Sequence, residues 1–174
     1  MNADEERELV VLSRKGDRAA YAGLVKTYSG PVFAICLGML GNRHDAEDTT
    51  QQTLLKGFVQ IRTLRDSDRF APWIARIARN LCLDVLRRRR YEGLSPTPDD
   101  NRPGGDPDDF HRLEKALSKL SVDYRVPLLL FYVDGRSTQS IAETLGISHA
   151  NVQTRLSRAR KQLRRLLESE GDDP

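Results

Sequence analysis

The sequence predicts an all-α fold in two small helical domains, residues 1–92 and 111–174, joined by a flexible linker over 93–110 that is rich in Pro, Gly and Asp. Three observations predict it. Apolar residues recur at three-and-four spacing along most of the chain, and no window sustains the period-two alternation that a half-buried strand needs. Between Tyr91 and Phe110 the period stops, and that stretch carries four prolines and three glycines. At 174 residues, 39% hydrophobic and 30% charged, with a mean hydropathy of −0.55, the chain suits one domain or two small ones with modest cores.

The first helix is expected over residues 4–15, with Leu9 and Leu12 inward and Gly16 closing it. Asp17 is placed to cap the second, in which Tyr21, Leu24, Val25, Tyr28, Val32, Ile35, Cys36, Met39 and Leu40 form the apolar stripe. Gly30-Pro31 should kink or split that helix, because proline has no N–H to donate and its ring crowds the preceding turn. Gly41-Asn42 ends the run. A third helix is expected to begin on the acids Asp45, Glu47 and Asp48, which the backbone dipole favours in a first turn. It turns Ala46, Leu54, Phe58 and Ile61 inward, and Glu47, Gln51, Gln52 and Lys56 outward. After a polar loop over 65–69, a fourth helix from about Phe70 carries Trp73, Ile74, Ile77, Leu81, Val85 and Leu86, and ends on Arg87 to Arg90. Trp73 shares its spacing with Ile77 and Leu81, so it reads as a core anchor before a stacking platform.

The linker cannot bury enough apolar surface to offset the entropy of ordering it. Beyond it, four shorter helices are expected at about 110–120, 122–133, 138–145 and 149–168. The last two have the features of a helix-turn-helix. Ile141, Ala142 and Leu145 give the first of the pair an apolar face, Ala142 is small where a second helix must cross, and Gly146 can end it in the left-handed conformation. Ser148 can cap the next helix, with Val152, Leu156 and Ala159 inward. The outward set is His149, Asn151, Gln153, Thr154, Arg155, Ser157 and Arg158. Amides suit adenine, and arginine suits guanine or phosphate. From Arg155 to Arg165 there are six Lys or Arg and no acid.

Net charge is +3, distributed as +4 over 1–92, −4 over 93–110 and +3 over 111–174, so two basic blocks flank an acidic strip. That pattern suggests two polyanion-binding surfaces. Cys36 and Cys82 stand in apolar stretches without a CxxC or a nearby histidine, and read as core thiols rather than a disulfide scaffold or zinc set. No apolar run looks long enough to span a membrane, and the acidic N-terminus does not resemble a secretion signal; a cytoplasmic chain without membrane insertion is expected. His44-Asp45 resembles a metal-hydrolase dyad, but helix N-terminal charge explains it, and no cofactor, metal site or catalytic residue is expected.

The segment Asp45-Ala-Glu-Asp-Thr-Thr-Gln-Gln-Thr-Leu-Leu-Lys-Gly-Phe58, followed by Phe70-Ala-Pro-Trp-Ile-Ala-Arg-Ile-Ala-Arg-Asn80, Asp84 and the arginine run, resembles the second conserved region of bacterial sigma factors. Residues 120–167 resemble their fourth. With only these two regions the chain is similar to the extracytoplasmic-function (ECF) group of the sigma-70 family.

The resemblance implies core RNA polymerase as partner, bound through its beta-prime clamp and beta flap, together with promoter DNA and an anti-sigma factor. Clamp docking would fall on Asp48, Gln51 and Gln52, flanked by Asp45 and Lys56. The minus-ten element would be read as single strand. A pocket for a flipped-out base would form from the loop with Arg65, Asp66, Ser67 and Phe70 and from Asn80, with Arg76, Arg79, Arg87 and Arg88 on phosphates. Ser148, His149, Asn151, Gln153, Thr154, Arg155, Ser157, Arg158 and Lys161 would read the minus-thirty-five duplex. Two such sites lie roughly 70 Å apart, whereas a free 18-residue linker has a root-mean-square span of about 25 Å and a taut length of about 60 Å, so polymerase would hold the domains apart. Thr49, Thr50 and Gln52 depart from the family pattern near the docking helix. Ala150, Asn151 and Gln153 depart from it on the reading surface, so the promoter motif is not inherited. Two rival readings are a stand-alone helix-turn-helix regulator with an N-terminal dimerising or sensing domain, and a metal-dependent hydrolase at His44 and Asp45.

Overall fold

A computed structural model describes residues 1–92 and 107–169. Helix α1 (Ala3–Arg14) opens on a reciprocal cap: Glu5 N–H donates to the Asn2 side chain at 2.8 Å, and Asn2 N–H donates to the Glu5 carboxylate at 3.0 Å. Asp17 caps α2 (Arg18–Leu40) as expected, accepting from the N–H groups of Ala19 and Ala20. That helix is not split at Pro31 but runs on as one element to Leu40, so of the kink or split expected there the split does not occur. The Thr27 carbonyl, which proline at the fourth position on cannot serve, accepts instead from Arg136 Nη2 at 2.9 Å.

Asn42 caps α3 (Arg43–Gln60), accepting from Asp45 N–H at 2.9 Å. Because the helix starts at Arg43, only Asp45 lies in its first turn, and Glu47 and Asp48 fall in the second. Two short 3-10 turns lead into α4 (Phe70–Glu92): Ile61–Thr63 follows α3 directly, so Ile61, expected on the third helix, lies just past its end, and Ser67–Arg69 stands in the polar loop expected over 65–69.

The core of this half gathers around α2, on which α1, α3 and α4 all pack. Leu24, Val32 and Cys36 of α2 meet Val10, Ala46, Ile74 and Ala78, all fully or almost fully buried. Aromatic rings reinforce the packing. Tyr28 and Phe70 meet edge-on at 5.0 Å between centroids, and Phe70 and Trp73 lie 5.6 Å apart. By length and composition alone α2 could cross a membrane, contrary to the expectation that no run is long enough, but most of its apolar residues are taken up by this core. Thr49, Thr50 and Thr53 are buried too, and the hydroxyls of Thr50 and Thr53 donate to the carbonyls one turn earlier. Thr49 and Thr50 therefore face the interior rather than the outer face of α3, and their departure from the family pattern bears on packing.

The second half comprises α5 (Pro107–Ser118), α6 (Val122–Tyr132), α7 (Thr138–Leu145) and α8 (His149–Ser169). Helix α5 begins inside the stretch read as linker; Pro107 occupies its first position, where the missing N–H is unneeded. Residues 93–106 and 170–174 lie outside the described residues. Leu130, Ile141, Val152, Leu156 and Ala159 make the core, each no more than 1% exposed. The turn between α7 and α8 forms as expected: Gly146 has φ +66°, and Ile147 N–H donates to the Ala142 carbonyl at 3.1 Å. This half sits on the first through α6 against α2 and α7 against α4.

Candidate nucleic-acid and partner interfaces

Helix α3 presents Asp48, Gln51, Gln52 and Lys56 to solvent on the face opposite its packing stripe. Asp48 lies 3.7 Å from His44 Nε2, one turn away. Sequence reasoning missed two members of this face: Leu55 and Val59 are 68% and 77% exposed. Their signal was available, since both fall outside the stripe of Ala46, Leu54, Phe58 and Ile61. Asp45 is placed differently. It is half-buried, ion-paired with Arg89 of α4, and accepts from Asn42 Nδ2 at 2.5 Å, so its carboxylate is engaged inside the chain. With His44 exposed and Asp45 so engaged, no group of three or more His, Cys, Asp or Glu able to hold a metal occurs among the described residues.

The predicted single-strand face divides in two. Arg65, Asp66, Arg76 and Arg79 line a cleft of about 1180 Å³ together with Arg69, which the sequence pattern did not single out. Arg65, Asp66, Arg69, Arg76 and Arg79 are exposed and Ser67 is half-buried, with the Asp66 carboxylate accepting from Asp68 N–H at 3.0 Å. Phe70 is the correction here: at 1% exposure, wedged between Tyr28 and Trp73, its ring cannot reach a base. Trp73 is 7% exposed, in keeping with a core anchor that shows one edge to the cleft. Asn80 is exposed one turn beyond Arg76, while Arg87 pairs with Asp84 at 3.3 Å and Arg88 is exposed.

The recognition-helix candidates sit at the start and outer face of α8. Ser148 caps it, accepting from Asn151 N–H at 3.2 Å. His149, Asn151, Gln153, Thr154, Ser157, Arg158 and Lys161 are exposed. Two are already engaged: His149 Nε2 lies 2.7 Å from the Thr138 hydroxyl, and Thr154 donates to the Ala150 carbonyl at 2.9 Å. Arg155 stands apart from the rest, half-buried and held by Asp123 at 3.1 Å on the wall of the same cleft. On the far side of this half, Leu113, Leu117, Leu129, Tyr132, Leu163 and Leu167 line an apolar groove of about 660 Å³ between α5, α6 and α8. Tyr132 and Val133 at its rim are 61% and 59% exposed.

Comparison with known proteins bears on both halves. The family model for Sigma-70 region 2 matches residues 24–91, and that for Sigma-70, region 4 matches residues 110–163. The ECF RNA polymerase sigma factor SigW of Bacillus subtilis is 31% identical over 172 residues, covering 88% of this chain and 92% of its own. The ECF RNA polymerase sigma factor SigE of Mycolicibacterium smegmatis is 34% identical over 180 residues, covering 95% of this chain and 69% of its own. Among solved structures, CnrH in complex with the cytosolic domain of CnrY aligns with a TM-score of 0.70 at 25% identity, over 97% of this chain and 99% of that one. The sigma factor RpoE in complex with the anti-sigma factor NepR from Bartonella quintana aligns with a TM-score of 0.67 at 25% identity, over 85% of this chain and 96% of that one.

Proposed function

The chain belongs to the ECF group of the sigma-70 family, and from that premise we propose a division of labour between its two halves. As a sigma factor it binds core RNA polymerase and directs promoter-specific initiation of transcription. The outer face of α3, with Asp48, Gln51, Gln52, Lys56, Leu55 and Val59, docks on the beta-prime clamp. Asp45 acts by holding α3 to α4 through Arg89 rather than by touching the partner. The cleft with Arg65, Asp66, Arg69, Arg76 and Arg79 receives the minus-ten single strand, Asn80, Arg87 and Arg88 extend that path, and α8 reads the minus-thirty-five duplex through Asn151, Gln153, Arg158 and Lys161. The apolar groove between α5, α6 and α8 takes the beta flap. An anti-sigma factor is a further partner, supported by the complexes in which CnrH and RpoE were solved. The chain acts in the cytoplasm and makes no covalent bond itself; polymerase does.

The observation that carries this reading is the pair of exposed helix faces, one on each domain, each opposite a buried stripe. It is tested by transcription in vitro with purified core polymerase over a promoter library. Transcripts from a defined set of start sites, dependent on this protein, are expected. Failure to start RNA synthesis at any site would overturn it.

A further inference from the structure

Helix α1 takes no part in the division of labour above, yet two neighbouring residues near its start reach the loop over 65–69 from two sides. That loop runs between Leu64 and Phe70, which are 5% and 1% exposed, and none of its own side chains is buried. Asp66 holds it from within: its carboxylate accepts from Asp68 N–H at 3.0 Å, and its carbonyl accepts from Arg69 N–H at 3.2 Å. A polar segment without an apolar anchor keeps much of its backbone freedom, which it must give up to hold one shape. Support has to come from outside the loop.

Helix α1 packs on both 3-10 turns, the one before this loop and the one inside it. It is itself well seated. Val10 is fully buried, Ser13 is 1% exposed, and Leu9 lies so near α2 that a Cβ on Gly23 would come within 3.1 Å of its Cδ1. Glu6 shares the inward side with Val10 and Ser13, at three-and-four spacing. Its carboxylate accepts from the Tyr28 hydroxyl at 2.6 Å. The Tyr28 ring, 4% exposed, meets Phe70 edge-on, so fixing its hydroxyl fixes the surface on which the loop enters α4. Arg7 is exposed, and its Nε lies 3.6 Å from the Asp68 carboxylate on the outer side of the loop. One strut thus passes through the core and the other over the surface, both from adjacent residues of one helix.

We propose that Glu6 and Arg7 are positioning residues that hold the loop over 65–69 in the shape that receives an unpaired base, Arg7 through Asp68 and Glu6 through Tyr28 and Phe70. The part played by the base rests on the function proposed above; the bracing rests on these contacts alone. A strand that meets a preformed loop loses no affinity to ordering it, whereas a loop competent for only a fraction of the time lowers the apparent affinity by that fraction.

The test compares the native full chain with Glu6→Ala/Arg7→Ala, which removes both struts, and with Glu6→Gln/Arg7→Lys, which keeps an acceptor for Tyr28 and a cation for Asp68. Hydrogen exchange of the Asp68 and Arg69 amides reads the bracing without any DNA. It should quicken about three- to tenfold in the alanine pair, the combined size of one exposed ion pair and one hydrogen bond, while the amides of α2 keep their native rates and the conservative pair stays within about twofold of native. Exchange unchanged in the alanine pair would overturn the proposal. Transcription by the holoenzyme is then measured on the promoter that the native protein uses most in the library above, and on the same promoter with one base of its minus-ten element substituted. The alanine pair should lose about three- to tenfold on the first and less on the second, narrowing the ratio between them, and the conservative pair should restore that ratio. Equal loss on both promoters would mean a merely structural role and would overturn the positioning. Arg65→Ala/Arg69→Ala separates the two layers: if that pair leaves the ratio native, the loop is not the strand's reader and the function assigned to it fails, whereas a ratio lost there and kept in the alanine pair of α1 overturns the positioning alone.

Discussion

Helices α3 and α8 each bury one stripe and expose the other, but what they expose differs in kind. Along α3, Asp48, Gln51, Gln52 and Lys56 surround Leu55 and Val59, two aliphatic side chains left largely open to water. Along α8, the exposed set from His149 to Lys161 is amide, hydroxyl, imidazole and cation, with no large exposed aliphatic among the described residues and no acid as far as Arg165. Open aliphatics set among mixed charges gain from a partner that covers them, as at the centre of a protein interface. Cations with hydrogen-bonding neighbours and no carboxylate suit a surface lined by phosphates and base edges. The partner's class is thus written in the exposed side of a helix, not in its buried one.

The largest effect should come from erasing the feature peculiar to α3. Leu55→Asp with Val59→Asp should cost about 2–4 kcal/mol of affinity for core polymerase, roughly 30- to 1,000-fold. Because both side chains are exposed, the melting temperature should stay put. Undiminished polymerase binding in a titration would remove α3 from the interface. Next comes the feature peculiar to α8. Arg158→Ala with Lys161→Ala should weaken holoenzyme binding to an upstream duplex, and flatten the log–log salt dependence by about 0.9 for each phosphate no longer neutralised. The α3 variant should leave that slope alone, and a gel-shift series showing equal slopes for both variants would collapse the distinction. The smallest effect concerns the frames that present the two faces. Gly146 takes φ +66°. Replacing it with Ala forces a side chain into a left-handed turn and should destabilise the second domain by about 1–2 kcal/mol. Asn42→Ala removes the cap of α3 and should cost the first domain about 1 kcal/mol. Thermal unfolding of each variant reads both; an unshifted transition for either would mean that its turn or cap is dispensable.

Local chemistry made much of this legible. Asp17, Ser148, Gly41 and Gly146 stop or start helices where their side chains and backbone freedom dictate, and the apolar stripes of α4 and α8 lie on their buried sides. What stayed hidden depends on partners far away along the chain. Helix α2 survives Pro31 with the help of an arginine 109 residues from Thr27, and no local rule anticipates that. Asp45 reads as an exposed helix-start acid until Arg89 of α4 is brought beside it. Phe70 stands at the edge of a polar stretch, and only the fold shows that Tyr28 and Trp73 enclose it. The start of α5 was within reach: Asp-Pro-Asp-Asp over 106–109 is a helix opening in its own right, outweighed by the prolines and glycines before it.

Cys36 of α2 and Cys82 of α4 are both free and wholly enclosed, and hydrogen bonding to Cys36 together with burial pushes the Cys82 thiol well above its ordinary value. These are the chain's two cysteines, and both belong to the first half. A thiol-reactive dye therefore finds nothing to modify while α2 and α4 stay together, and the rate at which it is consumed becomes a clock for the breathing of that half alone. The molecule carries its own reporter, blind to the second half and ready for use without a single added label site.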